Sequence, residues 1–202
     1  MIKEGLKIII SGPSGSGKGT IVRELIKNPQ SIISVSATTR EPRPGEVHGE
    51  HYFFTTQKEF KKMIEEKQLL EYAEFCGNYY GTPKAFVDET TKSGKNIILE
   101  IEVEGALQVK AMYPEAIFIF VIPPSLVALK DRLVNRKTET MEVIEKRLDR
   151  AKEELQYFKE YDYVVVNNSV DEAVRSIENI VDAESQRSDN YKQEIENIIK
   201  ER

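Results

Sequence analysis

The chain has 202 residues, enough for one domain with inserted subdomains, and its 40% hydrophobic content is sufficient to pack a core. Charged residues make up 31%, with both signs mixed and a net charge of −5, which argues against a general nucleic-acid binder, whose footprint would be basic. The single cysteine, Cys76, excludes an internal disulfide and fits a reducing, cytoplasmic setting; no segment approaches the roughly twenty apolar residues of a membrane span, so a soluble protein with no membrane partner is expected.

Residues 6–11, LKIIIS, read as a short buried strand, because β-branched residues dominate and a glycine loop follows. GTIVRELIKN carries Ile21, Val22, Leu25 and Ile26 at helical spacing, and Asn28-Pro29 ends it. Residues 31–36, SIISVS, predict a second strand. TTREPRPGEVHGEHYFF is rich in proline, glycine and arginine and predicts a long functional loop leading into a short strand. Residues 56–68 predict an amphipathic helix with Phe60, Met63 and Ile64 inward. LLEYAEFCGNYYGTP alternates and predicts antiparallel strands with a turn at Gly77-Asn78, with Cys76 a packing or strand residue.

Residues 84–93 read as a helix stopped by Gly94, NIILEIE as a buried strand ending in acids, and VEGALQVKAMYP as a helix stopped by Pro114. AIFIFVIPP and YDYVVVNN are two more buried strands. Between them, 125–160 is helical and dense in charge, broken near RKTET with Thr140 as N-cap. From 170 onward, Val170, Ala173, Val174, Ile177, Ile180 and Val181 mark a helix face, followed by a polar helical tail. Strands alternating with helices predict an α/β fold with a parallel sheet covered on both faces.

Residues 12–20, GPSGSGKGT, lie between the first strand and its helix, as a phosphate-binding loop requires. Gly12, Gly17 and Lys18 fit G-x-x-x-x-G-K-[ST], but Gly19 stands where a hydroxyl is expected and Thr20 follows one residue late. Glycines let the backbone aim its N–H groups at an anion, the helix adds its positive end, and Lys18 adds a point charge. The donor-nucleotide candidates are therefore Gly12, Pro13, Ser14, Gly15, Ser16, Gly17, Lys18, Gly19 and Thr20. The loss of the residue-19 hydroxyl removes a common Mg²⁺ ligand.

Arg40 and Arg43 sit three apart on a proline-stiffened loop, a spacing that suits a doubly charged phosphate, although loop arginines are ordinarily solvated. Taken alone, Tyr52 and Tyr80 read as packing and Glu71 as a surface acid. Glu100 and Glu102 share a strand face at its carboxyl end, where ligands gather in open α/β sheets, or else are simply exposed acids. His48 and His51 lack the further ligands a metal site would need.

Three motifs in order carry a resemblance over about residues 6–182: GPSGSGKGT, then S-x-TTR-x-PR-x-GE-x-x-G-x-x-YFF, then E-x-AEF-x-GNYYGTP. Together they resemble the guanylate kinase family. The resemblance implies a P-loop parallel core (about 1–33, 84–125 and 158–183), an inserted mixed or antiparallel GMP-binding subdomain (about 34–83), a helical lid (about 126–157) and a polar tail (184–202). It implies transfer of a phosphoryl group from Mg²⁺·ATP to GMP, with ATP and GMP as the partners. It places Ser36, Arg40, Arg43, Tyr52, Glu71, Tyr80, Thr82 and Glu102 at GMP, with Glu71 reading guanine. Lys18, Arg132, Arg136 and Arg147 become catalytic cations, Asn168 an adenine contact, and Glu100 a Mg²⁺ ligand through water. Arg150 has no assigned role. Two departures stand out: Lys137 replaces a glycine in the lid, and Glu replaces Asp at 100 and 102. The rivals are a kinase for another monophosphate and a non-catalytic interaction module; the intact donor loop speaks against the second.

Overall fold

The computed structural model describes residues 4–135 and 140–201. In chain order the elements are β1 (Lys7–Ser11), α1 (Lys18–Leu25), β2 (Ser31–Ile33), β3 (Ala37–Thr38), β4 (Phe53–Phe54), α2 (Gln57–Glu65), β5 (Leu69–Phe75), β6 (Asn78–Pro83), α3 (Lys84–Lys92) and β7 (Asn96–Glu100). They continue with α4 (Val103–Met112), β8 (Ile117–Ile122), α5 (Leu126–Asn135), α6 (Met141–Leu155), β9 (Tyr163–Val166), α7 (Val170–Ser185) and α8 (Lys192–Lys200).

The main sheet is parallel in the order β2-β7-β1-β8-β9. β1 lies at its centre, with Ile8 opposite Ile98 on one side and opposite Ile117 on the other. Alternation along β1 explains why an entire strand is apolar. Ile9 joins one cluster with Leu99, Phe118, Phe120 and the α3 and α4 residues Val87 and Val109. Ile8 and Ile10 join another with Ile21 and Val22 of α1 and Ala173 and Ile177 of α7. A sheet buried on both faces has no polar alternation to display.

The chain enters a second sheet after β2. The ladder yields one more bond, Ser34 N–H to the Ile98 carbonyl, and then Ser36 accepts from Phe53 N–H at 2.9 Å. The strand expected over 31–36 therefore ends at Ile33, because Val35 and Ser36 carry the chain across to the other sheet. That sheet has the order β4-β3-β6-β5, with β3 and β4 parallel and the other pairs antiparallel. Helix α2 opens on a capping box between Thr56 and Glu59 and buries Phe60 completely. Phe60 stacks on Tyr79 at 5.4 Å between ring centroids.

The β5–β6 turn is Cys76-Gly77, one residue earlier than expected. Phe75 pairs directly with Asn78, and both turn residues have positive φ, 50° and 74°. A two-residue hairpin with this twist needs φ above zero at both positions, so Cys76 is an exposed turn residue and does not pack. Helices α5 and α6 close on a small core of their own, Leu129, Leu133, Ile144, Leu148 and Ala151. Thr140 takes the N-cap position of α6 with extended backbone, but its side chain accepts no capping bond.

Phe60→Ala opens a cavity beneath the second sheet and is expected to cost about 3–5 kcal/mol in urea unfolding. A loss below about 1 kcal/mol would mean that this sheet collapses onto the gap.

Candidate active site

The carboxyl ends of β1, β7 and β9 meet at one end of the main sheet, and the glycine loop lies across them. Gly12 has φ 145°, and a Cβ there would come within 2.1 Å of the Val121 carbonyl oxygen. Gly17 has φ 97°, and its Cβ would meet the Asn167 amide nitrogen at 2.3 Å. These two positions demand glycine on both conformation and space.

The loop is held from outside by side chains. Asn167, buried at the end of β9, donates to the Ser16 carbonyl at 2.7 Å. Arg132 of α5 donates to the same carbonyl at 3.3 Å and to the Asn167 carbonyl at 2.7 Å. Arg147 of α6 donates to the Ser14 hydroxyl at 3.0 Å. Lys18 is buried and donates to the carbonyls of Gly12 and Pro13. Thus Lys18, Arg132 and Arg147 converge on the loop from three elements. Arg136 and its neighbours Lys137, Thr138 and Glu139 lie outside the described residues.

Two cavities flank the loop. One of about 460 Å³ is lined by Gly15, Gly17, Thr20, Arg132, Asn135 and Asn168, among others. The other, about 260 Å³, is lined by Ser14, Lys18, Gly19, Thr20, Arg23, Glu100 and Glu102, among others. Asn167 and Asn168 thus separate: the first is a buried support for the loop, the second an exposed wall of the larger cavity. Burial against the loop raises the Glu100 carboxyl above its ordinary value; Lys18 opposes this and Glu102 adds to it.

The second sheet gathers the other candidates. Arg40 lies at the end of β3, its guanidinium 5.4 Å from the Tyr52 ring centroid, and Tyr52 meets Tyr80 edge-on at 6.1 Å. Arg43 is exposed on the loop beyond. Glu46 organises this corner, and sequence reasoning assigned it nothing. Its carboxylate accepts two bonds from Arg40, at 2.8 and 2.9 Å, and one from Arg43 N–H at 2.7 Å. The Arg40 guanidinium, followed by that backbone N–H, holds the Glu46 carboxyl below its ordinary value. The signal was present: a carboxylate six residues after an arginine in a loop otherwise built for anions.

Glu71, on β5, is half-buried. Its Oε1 accepts from the Thr82 hydroxyl of β6 at 2.7 Å. Its Oε2 lies against the first turn of α4, where a Cβ on Gly105 would approach it to 3.1 Å. Burial raises the Glu71 carboxyl above its ordinary value, and the Thr82 hydrogen bond offsets this in part. Ser36 is half-buried at the entry to the same sheet, and Glu102 is exposed at the N-cap of α4. Arg150, without a role from the sequence, pairs with the buried Glu154 one helical turn away at 2.8 Å. It is a fastening within α6.

The chain can thus place an anionic group on a glycine loop, a second anion at Arg40, and a hydrogen-bond donor pair at Glu71. Among the described residues, no helix is long and apolar enough to cross a membrane.

Comparison with known proteins points the same way. The family model described as Guanylate kinase matches residues 4–184. The chain is 55% identical over 184 residues to the guanylate kinase of Desulfitobacterium hafniense (strain Y51), covering 91% of this chain and 92% of that protein. It is 50% identical to the guanylate kinase of Streptococcus agalactiae serotype III (strain NEM316), covering 100% of this chain and 97% of that protein. The crystal structure of guanylate kinase from Anaplasma phagocytophilum superposes with a TM-score of 0.71 at 30% identity, covering 92% of this chain and 89% of that one.

The raised Glu71 carboxyl has a measurable consequence. The folded chain holds that proton more tightly than the unfolded chain, so the associated stability is present in acid and is lost as pH rises through the shifted value. Glu71→Gln keeps an acceptor for Thr82 and avoids the burial of charge. It is expected to be more stable than the parent at pH 7 and equal to it near about pH 4, in urea unfolding at several pH values. A constant difference across that range would contradict the assignment.

Proposed function

The chain belongs to the guanylate kinase family, which phosphorylates GMP to GDP with ATP, and on that premise we propose how its own residues divide the reaction. The protein transfers the γ-phosphoryl group of ATP to the phosphate of GMP. The observation that carries the assignment of the acceptor side is Glu71: a half-buried carboxylate whose perturbation comes only from burial and Thr82, with no cation involved.

Such a carboxylate suits a neutral pair of donors. Guanine presents N1–H and the 2-amino group side by side, and one carboxylate accepts both. Adenine has an acceptor at N1 and no 2-amino group, and would leave Glu71 buried and unpaired, a strong ground for rejection. Thr82 holds the Glu71 carboxylate in place, and Ser36, at the entry to the same sheet, joins them at guanine. Arg40, Arg43, Tyr52 and Tyr80 take the GMP phosphate. Glu46 supports Arg40 from behind and fixes the loop that carries Arg43.

On the donor side, the glycine loop cradles the ATP phosphates and Lys18 turns from its loop carbonyls to the β- and γ-phosphates. Adenine lies in the larger cavity near Asn168. Arg132 and Arg147 already reach the loop from α5 and α6, from where they turn onto the transferring group; Arg136, outside the described residues, is assigned the same task. The attacking oxygen belongs to the GMP phosphate. Its second pKa is near that of a phosphomonoester, about 6, so it is largely ionised at neutral pH and needs no general base. Rate acceleration then comes from alignment and charge stabilisation.

Mg²⁺ fits the smaller cavity. Its walls offer the hard oxygen donors of Thr20, Glu100 and Glu102, yet no group of three or more His, Cys, Asp or Glu that could hold a metal exists among the described residues. That is the donor set of an ion brought in with a nucleotide, where phosphates supply the remaining ligands. Held by these residues and the nucleotide, it would supply positive charge to the phosphates. A cytoplasmic setting accords with the lone cysteine.

The test is ADP formation from Mg²⁺·ATP with GMP, AMP, CMP or UMP offered separately. GMP is expected to be used at least about 10³-fold better than AMP in kcat/KM. Lys18→Ala is expected to lose at least about 10²-fold in kcat. Glu71→Gln, which puts an N–H against the guanine donors, is expected to raise KM for GMP and leave KM for ATP unchanged. Equal use of AMP would overturn the acceptor assignment.

A further inference from the structure

The loop lacks a hydroxyl at residue 19, and the strand-end acid at residue 100 is Glu. In the structure these two facts concern one place. A Cβ built on Gly19 would lie 3.2 Å from Glu100 Oε1 and 3.5 Å from Oε2. The Glu100 carboxylate therefore lies tightly against the space a side chain at 19 would fill and would have to give by a few tenths of an ångström, and both residues line the cavity of about 260 Å³.

We propose that Gly19 and Glu100 are a matched pair, in which the Glu100 carboxylate takes the place of the residue-19 hydroxyl as the protein oxygen facing the nucleotide's cation. The inference rests on the Mg²⁺ reading above and deepens it. In many phosphate-binding loops a Ser or Thr hydroxyl at this position and an acid at a neighbouring strand end share the ion. Here the strand-end acid is one carbon–carbon bond longer, and its carboxylate lies over Gly19. Thr20 lines the same cavity but offers its hydroxyl from another direction. On a helix it is turned by roughly 100° from residue 19, and its hydroxyl accepts from Arg23 at 3.3 Å. Gly19 and its neighbour thus share one space: any side chain there asks the carboxylate to give way, and a hydroxyl would compete with it for the same ion or hydrogen-bond to it.

The probe is Mn²⁺, titrated by electron paramagnetic resonance into protein saturated with a non-hydrolysable ATP analogue, without GMP. In the parent chain Mn²⁺ is expected to bind more tightly than to the analogue in solution; no difference would overturn the Mg²⁺ reading and this proposal with it. With that difference established, Gly19→Ser and Glu100→Gln are each expected to weaken Mn²⁺ binding by about 10-fold or more. Glu100→Asp, whose carboxylate falls short of the place, is expected to weaken it as well. The double variant Gly19→Ser/Glu100→Asp supplies hydroxyl and room together, and is expected to return to within about threefold of the parent, a clear departure from additivity. Losses that simply add in the double variant, or a Gly19→Ser chain with undiminished Mn²⁺ affinity, would overturn the pairing while leaving the Mg²⁺ reading intact. Analogue affinity in EDTA checks that each loop remains formed. Should Gly19→Ser fail that check, parent-like Mn²⁺ affinity in both Glu100 variants would overturn the proposal by itself.

Discussion

The Ser16 carbonyl is the fixed point of this molecule. It accepts from the Asn167 amide and from the Arg132 guanidinium, and Arg132 also takes the carbonyl of Asn167 itself. Three pieces of chain distant in sequence are joined there: the loop after β1, the end of β9 and helix α5. Because Asn167 is buried, these bonds are shielded from water and act at lower dielectric than a surface contact would. The geometry leaves no room for a side chain at Gly17, so the glycine and the asparagine depend on each other. Packing continues the restraint, since a Cβ on Gly15 would lie 2.8 Å from Leu129 of α5. The loop and α5 are therefore joined by both hydrogen bonds and packing.

The same arrangement explains how cations are kept ready in an acidic chain. Lys18 is bonded to loop carbonyls, Arg132 to Ser16 and Asn167, Arg147 to Ser14, and Arg40 to Glu46. Each positive group is held by an acceptor that a phosphate can replace or supplement. This limits the desolvation cost of keeping a cation half-buried and holds its side chain near its working position. It also means that phosphate affinity is a difference between two sets of bonds. A net charge of −5 does not oppose this, because the field that matters acts over a few ångströms.

Much of the fold was legible because its physics is periodic. Continuous apolar runs announced buried parallel strands, and 3.6-residue spacing announced α1, α2 and α7. The glycine loop was legible because a strand, glycines, lysine and helix in that order solve one problem. What escaped reading depends on contacts between distant residues. Nothing local says that Asn167 serves the Ser16 carbonyl, because a backbone acceptor leaves no mark in a sequence. Glu46 was hidden within a quoted motif, its role visible only once Arg40 and the Arg43 backbone both turn toward it. The one-residue error in the β5–β6 turn arose because Gly77-Asn78 carries the usual turn residues, whereas the Phe75–Asn78 pairing forces Cys76 into positive φ.

The relation between the two sheets completes the argument. Ser34 still bonds to β7, while Ser36 already bonds to the strand after the arginine loop. A single residue, Val35, therefore separates the last bond to the main sheet from the first bond to the sheet that carries Tyr80 and Glu71. Leu70, next to Glu71 in β5, packs into the main core with Ile101 and Val103. The β5–β6 register shifts between Leu69 and Tyr72, so simple alternation does not hold there: Leu69 and Leu70 are both buried, and Glu71 still reaches α4 at Gly105. The Glu71 carboxylate is oriented by the Thr82 hydroxyl, and Gly105 in α4 leaves the space for it. The hairpin that packs Leu70 into the main core thus also brings Glu71 and Thr82 together beside α4.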